Sequence, residues 1–331
     1  MRHAMKRVEF AAVAAASLLL CGCGSSWNPF ASGASDAIRV ASYNIRLGTG
    51  DRGTPNAWPD RKDDLASLLR SLDVDAGGLQ EVQPEQMAFL REKLPEFEFV
   101  GEHRGADRMS DEASPVFFRK SRFEAEKKGT FWLSETPDVP GVKGWGAACP
   151  RVCSYLVLRD KSTGRRFCFA NTHTDHKSAL AREKGMLLVI ERMKEFGAGA
   201  PIVFTGDHNC RETEAPAIAV SGLLKNAIFE TETPPKGPWR TYNGWDWREN
   251  ELMSADALKL APEVRNACPG SPDGQSKGSG YDLSKDWPRI DYIYVSPGVR
   301  VLDYETVGET RPGAKLYPSD HFPIVATVVL P

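Results

Sequence analysis

The sequence predicts one large α/β domain behind an N-terminal export leader. Three observations carry that reading. Short runs rich in β-branched and aromatic residues alternate with longer stretches of helical periodicity, polar residues recur just past the ends of those runs, and the first 23 residues have a texture of their own. At 331 residues, 41% apolar and 26% charged, the chain can bury a full core, and its 29 Gly and 23 Pro are too few for collagen-like or low-complexity classes.

In the leader, Arg2, Lys6 and Arg7 precede an apolar run at 10–20 that is too short to span a bilayer as a mature helix, so residues 1–22 read as a secretory signal peptide. Leu20-Cys21-Gly22-Cys23 resembles a bacterial lipobox. That resemblance implies lipidation of Cys23, a flexible tether over 23–37, and an exported lipoprotein held to a membrane of the bacterial cell envelope. Ordinary signal cleavage nearby is the alternative. Removing residues 1–22 takes away three basic residues and one acid, Glu9, and shifts the net charge from −2 to −4. Such a chain offers no overall basic field for duplex DNA.

The body, 38–331, reads as a single domain. Residues 38–44 alternate as a strand ending at Asn44. Asp60 is placed to cap a helix carrying Leu65, Leu68, Leu69 and Leu72 on one face. A strand at 76–81 ends in Glu81, followed by a helix at 84–94 and strands at 97–102, 115–119 and 130–133. Residues 151–159 and 165–172 form a hairpin in which opposing positions sum to about 325, so Cys153 faces residue 172 and not Cys168. A helix at 178–196 places Met186, Val189, Ile190 and Met193 on one face and stops at Gly197. Strands at 201–205, 290–296, 299–307 and 324–330 complete the pattern. Between 231 and 288, seven Pro, six Gly and four Trp in 58 residues mark an irregular insertion that faces substrate. After the lipobox come Cys149, Cys153, Cys168, Cys210 and Cys268; Cys149 has either Cys153 or Cys268 as a disulfide candidate, and no paired C-x-x-C marks structural zinc.

Groups able to bind metal or move protons stand at successive strand ends: Asn44, Glu81, His173, Asp207 with Asn209, Asp291, and Asp320 with His321. Asp291 shares strand parity with Ile293 and Val295, so its carboxylate faces an apolar side and needs a partner. His321 is the natural candidate and a nearby Arg, such as Arg289, the alternative.

Ser42-Tyr-Asn44-Ile-Arg46, Gly78-Leu-Gln-Glu81-Val, Asn171-Thr-His173-Thr-Asp-His176, Gly206-Asp207-His208-Asn209, Arg289-Ile-Asp291-Tyr-Ile and Ser319-Asp320-His321-Phe-Pro together resemble the ordered motifs of the endonuclease/exonuclease/phosphatase superfamily. The resemblance implies a four-layer αββα sandwich of two mixed sheets flanked by helices, with the site at one edge. It implies Mg²⁺ or Mn²⁺ on the oxygen donors Asn44, Glu81 and Asp320. It also implies activation of the attacking water by Asp207 with help from Asn209, donation to phosphoryl oxygens or the leaving group by His173 and His321, and fixation of His321 by Asp291. Arg151 matches a position for phosphate contact. Two residues depart from the family pattern: His208 replaces Phe, and Ala76-Gly77-Gly78 replaces bulkier residues, which would loosen packing.

A dinuclear zinc hydrolase is the rival chemistry for His173-Thr-Asp175-His176, but Asn171 occupies the first histidine position and the whole chain holds six His. A non-catalytic binding protein on the same scaffold is the rival of another class; the full set of catalytic residue types argues against it. At least some of Trp239, Trp245, Trp247 and Trp287 in or beside the insertion are expected to overhang the site, with Trp245 and Trp247 the candidates to stack on substrate; the alternative is that these rings pin the loop onto the sandwich. Together with the charge balance this points to a monomeric hydrolase for a small or single-stranded phosphoester, with a nuclease acting on DNA or RNA as the alternative and duplex nucleic acid disfavoured.

Overall fold

A computed structural model describes residues 36–245, 289–314 and 316–331, which belong to one compact unit. The leader, Cys23, most of the tether, Trp247, Trp287 and Cys268 lie outside the described residues. In chain order the elements are β1 (Ala37–Asn44), α1 (Trp58–Ser71), β2 (Ala76–Gln80), α2 (Pro84–Lys93), β3 (Phe97–Val100), β4 (Val116–Arg119), β5 (Phe123–Trp132), β6 (Val152–Asp160), β7 (Arg166–His173), α3 (Ala179–Gly197), β8 (Ile202–Asp207), α4 (Ala215–Ser221), β9 (Lys225–Asn226), α5 (Ala227–Glu230), β10 (Asp291–Val295), β11 (Arg300–Thr306) and β12 (Ile324–Val329).

They build two mixed six-stranded sheets, ordered β11-β12-β1-β2-β4-β3 and β5-β6-β7-β8-β10-β9. Ile38 and Val40 of β1 point between the sheets, where they meet Phe167, Phe169, Val203 and Ile293 of the second sheet. Ala41 and Tyr43 point outward with Leu65, Leu69, Met87 and Leu90 of α1 and α2. The outer face of the second sheet buries Cys168, Phe204 and Tyr292 with Met186, Val189 and Ile190 of α3 and Ala217 of α4. Three stacked cores therefore separate four layers, αββα, and each fully buried Leu, Ile or Phe contributes roughly 1.5–3 kcal/mol.

Local structure departs from the sequence reading in physically legible ways. Helix α1 begins at Trp58, with Ala57 as an N-cap lacking a side-chain bond; a proline in the first turn starts it, and Asp60 lies in the first turn instead of capping. Gly197 is the last helical residue of α3, and Ala198 turns left-handed at φ 49° to end it. Gly197 serves close packing instead, since a Cβ there would lie 2.1 Å from Cys168 Sγ. β5 starts seven residues before the expected position because the exposed Glu124, Lys127 and Lys128 of this edge strand hide its period. The hairpin pairs Cys153 with Thr172 and Val157 with Cys168, as the numerical sum requires. Cys149, Cys153, Cys168 and Cys210 are all free, so the Cys149–Cys153 bridge does not form.

The glycines of β2 do not loosen packing. A Cβ on Gly77 would lie 2.4 Å from the Phe117 ring, and one on Gly78 would lie 2.2 Å from Asn171 Cγ, so both spaces are filled.

Candidate active site

Sheet register gathers the chemistry at one end of the sandwich. In the second sheet Asp207 lies beside His173 of parallel β7 and opposite Asp291 of antiparallel β10. In the first sheet Asn44 pairs with Gln80, so Glu81 follows at the same end, and Asp320 and His321 arrive just before β12. Arg46, Glu81 and Asn209, each just beyond a strand, take left-handed φ values of 57°, 63° and 47°. Such strain in non-glycine residues persists only where surroundings overdetermine it.

Those surroundings are specific. Arg61, buried on α1, donates to the carbonyls of Ile45, Arg46, Asn56 and Pro318 and so ties the loop after β1 to the loop before β12. Between the sheets, Asn171 Nδ2 donates to the Leu79 and Pro115 carbonyls at 2.7 and 3.0 Å, while its Oδ1 accepts from Gln80 Nε2 at 2.6 Å and Thr205 Oγ1 at 3.1 Å. This buried polar brace sets the two sheet ends in register behind the site.

In front of the brace, Asn44 Nδ2 bridges the sheets by donating to Glu81 Oε1 and Asp207 Oδ2, both at 3.0 Å. Glu81 Oε2 accepts from the Leu47 amide, and Asp207 Oδ1 accepts from the Asn209 amide. Asp291 Oδ2 lies 2.8 Å from His321 Nδ1, and His321 Nε2 stands 3.7 Å from Asp207 Oδ2. The Arg289 alternative is closed, because that guanidinium pairs with Glu212 and Tyr304. Asn209 Nδ2 donates to the Thr174 carbonyl and meets His173 Nε2 at 2.9 Å, which makes that ring nitrogen an acceptor.

The electrostatics separate the two histidines. Burial, and then the charge of Arg151, pushes His173 well below the usual imidazole range, so it is neutral. Burial would also lower His321, but the charge and hydrogen bond of Asp291, with Asp207 and Asp320 behind it, outweigh burial and raise it to about 10. His321 is thus the imidazolium and the donor of the pair, whereas His173 Nε2 accepts in this arrangement. Burial, then the charge of Asp291, raises Asp207 to about 7. Asp320 is raised by burial, with His321 opposing and Glu81 adding to the effect.

The donor chemistry fits a hard divalent cation. Glu81 and Asp320 offer carboxylate oxygen on the first-sheet side, with Arg46 3.6 Å from Asp320; the Asn44 Oδ1 here accepts from the Arg46 amide while its Nδ2 faces Glu81 and Asp207, so Asn44 joins the set only by giving up that amide bond. Asp207, Asp291 and His321 also bring ligand atoms within 4.8 Å of one another. His321 Nδ1 is committed to Asp291, and its Nε2 faces Asp207, which suits an acid–base pair better than a metal cage.

The site opens into a cleft of about 560 Å³ lined by Glu81, Arg151, His173, Asp207, Asn209, Asp320 and His321, among others. Arg151 is buried, with Nη2 3.1 Å from His176 Nδ1. Of the four tryptophans in or beside the insertion, the two described ones do not line the cleft. The Trp245 ring faces the Arg61 guanidinium at 5.7 Å and is not among the residues lining the cleft, while Trp239 packs on Phe229 and Arg289. Trp247 lies outside the described residues. The insertion instead reaches the site through Thr241, whose hydroxyl accepts from the Asp291 amide, and Tyr242, whose ring meets His321 edge-on at 5.1 Å. Neither stood out in the sequence, since each is one polar residue in an aperiodic stretch.

The sequence profile described as the Endonuclease/Exonuclease/phosphatase family matches residues 41–258. The chain belongs to that family. A solved family member from Bacteroides thetaiotaomicron superposes with a TM-score of 0.73 at 32% identity, covering 89% of this chain and 98% of that one. A mannosyl-6-phosphatase from the same organism gives the same TM-score and identity over 88% of this chain and 100% of that one. Nocturnin from Drosophila melanogaster is 23% identical over 329 residues, which cover 88% of this chain and 46% of that protein. The chain spans about half the length of the curated relatives it matches. Against the family pattern, His208 proves to be a core residue. It is fully buried on the face away from Asp207 and stacks with Tyr292 and Tyr294 at 5.5 and 5.6 Å.

Proposed function

We propose that this protein is a metal-dependent phosphoesterase that hydrolyses a small phosphoester by direct attack of water. The observation that carries this is the Asn44–Asp207 bridge: it holds a carboxylate base at the seam of the two sheets, beside the oxygen donors on one side and an imidazolium on the other. Asp207, clamped at both oxygens, takes the proton of the attacking water. His321, kept cationic by Asp291, donates to the phosphoryl oxygens where charge accumulates. Asn209 orients the water and fixes neutral His173. Mg²⁺ or Mn²⁺ held by Asn44, Glu81 and Asp320 would draw charge off the phosphoryl group. Water supplies a hydroxyl to phosphorus and a proton to the departing alcohol as the P–O bond breaks.

A small or single-stranded substrate is favoured over duplex DNA by the bounded cleft and by the negative net charge. The mannosyl-6-phosphatase relative supports a sugar phosphate. Export, attachment through Cys23 to a membrane of the cell envelope, and a monomeric state complete the proposal. The test is a panel of phosphomonoesters, phosphodiesters, sphingomyelin, single-stranded and duplex DNA assayed with Mg²⁺ or Mn²⁺ and with excess chelator. Turnover of small phosphoesters that stops with chelator supports the reading. Duplex DNA as the best substrate, or full activity in chelator, overturns it.

A further inference from the structure

The catalytic groups account for one part of the cleft. Beyond His173 another wall is built from Arg104, Glu112, Arg151 and His176, none of which the reaction above requires for proton transfer. Arg104 donates to Glu112 Oε1 and pairs with Asp111, each at 2.8 Å. Arg151 reaches His176 Nδ1 at 3.1 Å, and its Nε is 3.9 Å from Asp175. Both guanidiniums keep a buried Nε–H without a hydrogen-bond partner among the described residues. A buried donor of this kind costs stability unless something satisfies it.

The chemistry of the wall selects what that something is. Asp111, Glu112 and Asp175 offset the charges of Arg104 and Arg151, so among the described residues this wall has no cationic surplus to hold a second phosphate. Tyr242 is the one Phe, Tyr or Trp among the described lining residues, and it stands against His321 instead of on this wall, so among the described residues a nucleobase finds only the small His176 ring there. Alternating guanidinium donors and a carboxylate acceptor match hydroxyl groups, each of which donates once and accepts twice.

We propose that Arg104, Glu112, Arg151 and His176 form a leaving-group subsite that takes the hydroxyls of a neutral sugar whose phosphate lies at the catalytic end. This inference rests on the phosphoesterase reading and adds to it the residues that choose the alcohol. The experiment compares mannose 6-phosphate and glucose 6-phosphate with phenyl phosphate, in the presence of Mg²⁺ or Mn²⁺, for the wild type, Glu112→Gln and His176→Ala. The wild type should favour at least one hexose phosphate over phenyl phosphate by about tenfold or more in kcat/KM, the scale of one or two charge-assisted hydrogen bonds. Each variant should lower that preference severalfold, chiefly through KM for the sugar phosphate. His176 is exposed, so its replacement tests the wall even if Glu112→Gln fails to fold. Equal treatment of sugar and phenyl esters by the wild type, or an unchanged preference in folded variants, overturns the subsite while leaving the phosphoesterase reading standing. Turnover of no phosphoester in the panel overturns both.

Discussion

His208→Phe separates what the buried imidazole does for stability from what the neighbouring Asp207 does for chemistry. His208 is fully buried against Phe204, Tyr292 and Tyr294, and apart from a marginal approach to the Thr205 backbone neither ring nitrogen has a partner among the described residues. Burial lowers its pKa to about 3 against an ordinary 6.5. The sign follows directly: the folded protein refuses the proton that the unfolded chain accepts, so stability falls as pH drops below about 6.5 and the loss levels off near 3. At pH 5 this linkage costs the wild type about 2 kcal/mol, and at pH 7.5 about 0.1 kcal/mol or less. Phenylalanine cannot be protonated, so the variant should lose about 2 kcal/mol less than the wild type between those two values, or roughly 4 °C in Tm. Urea unfolding of both proteins at pH 7.5 and 5.0, followed by tryptophan fluorescence, measures the difference. Any change in packing cancels because only the pH increment is compared. An identical pH increment in the two proteins would refute the reasoning.

Four further outcomes follow from the geometry. Glu81→Gln should keep the Tm within a few degrees and lose most metal-dependent turnover, because a neutral amide is a poor Mg²⁺ ligand; unchanged activity removes Glu81 from the metal set. Asp291→Asn and His321→Ala should each cost most of kcat, and the double variant little more than the worse single one; a kinetic double-mutant cycle with additive losses sinks the pairing. Gly78→Ala drives a methyl group into Asn171, which four hydrogen bonds hold in place, and should destabilise the fold by about 3 kcal/mol in denaturant titration; a neutral effect would mean that the brace can shift. Cys23→Ala should release the protein from the membrane fraction or stall its processing, and mass spectrometry should find acyl groups on the wild-type N-terminal peptide; an unmodified soluble wild type removes the anchor.

Much of the architecture is legible in the order of residues because periodicity is local. The alternation at 38–44 announces β1 as a strand, though only the structure shows it buried on both faces, with Ile38 and Val40 on one side and Ala41 and Tyr43 on the other; the leucines of α1 announce the helix face that packs. Asp291 is legible for a related reason: strand parity puts a carboxylate on the apolar side of β10, where only a cationic partner makes it tolerable, and His321 is there at 2.8 Å. The hairpin register was equally available, since a turn of known position sets every pair that follows. Edge strand β5 was hidden because its charged, exposed residues erase the alternation on which such a reading depends.

What the sequence by itself determined, then, is which residue types stand at strand ends and which faces are apolar. Tertiary structure alone decided how those ends meet. Nothing in the chain order says that Asn171 fits the space left by Gly78, that Arg61 closes the loop around Ile45, or that Tyr242, and not Trp245, reaches the cleft. The different protonation of His173 and His321 is likewise a property of their surroundings, because both are the same imidazole until burial, Arg151 and Asp291 act on them across gaps of many residues in the chain. Desolvation and charge–charge interaction depend on distance in space, and that distance exists only once the two sheets have packed.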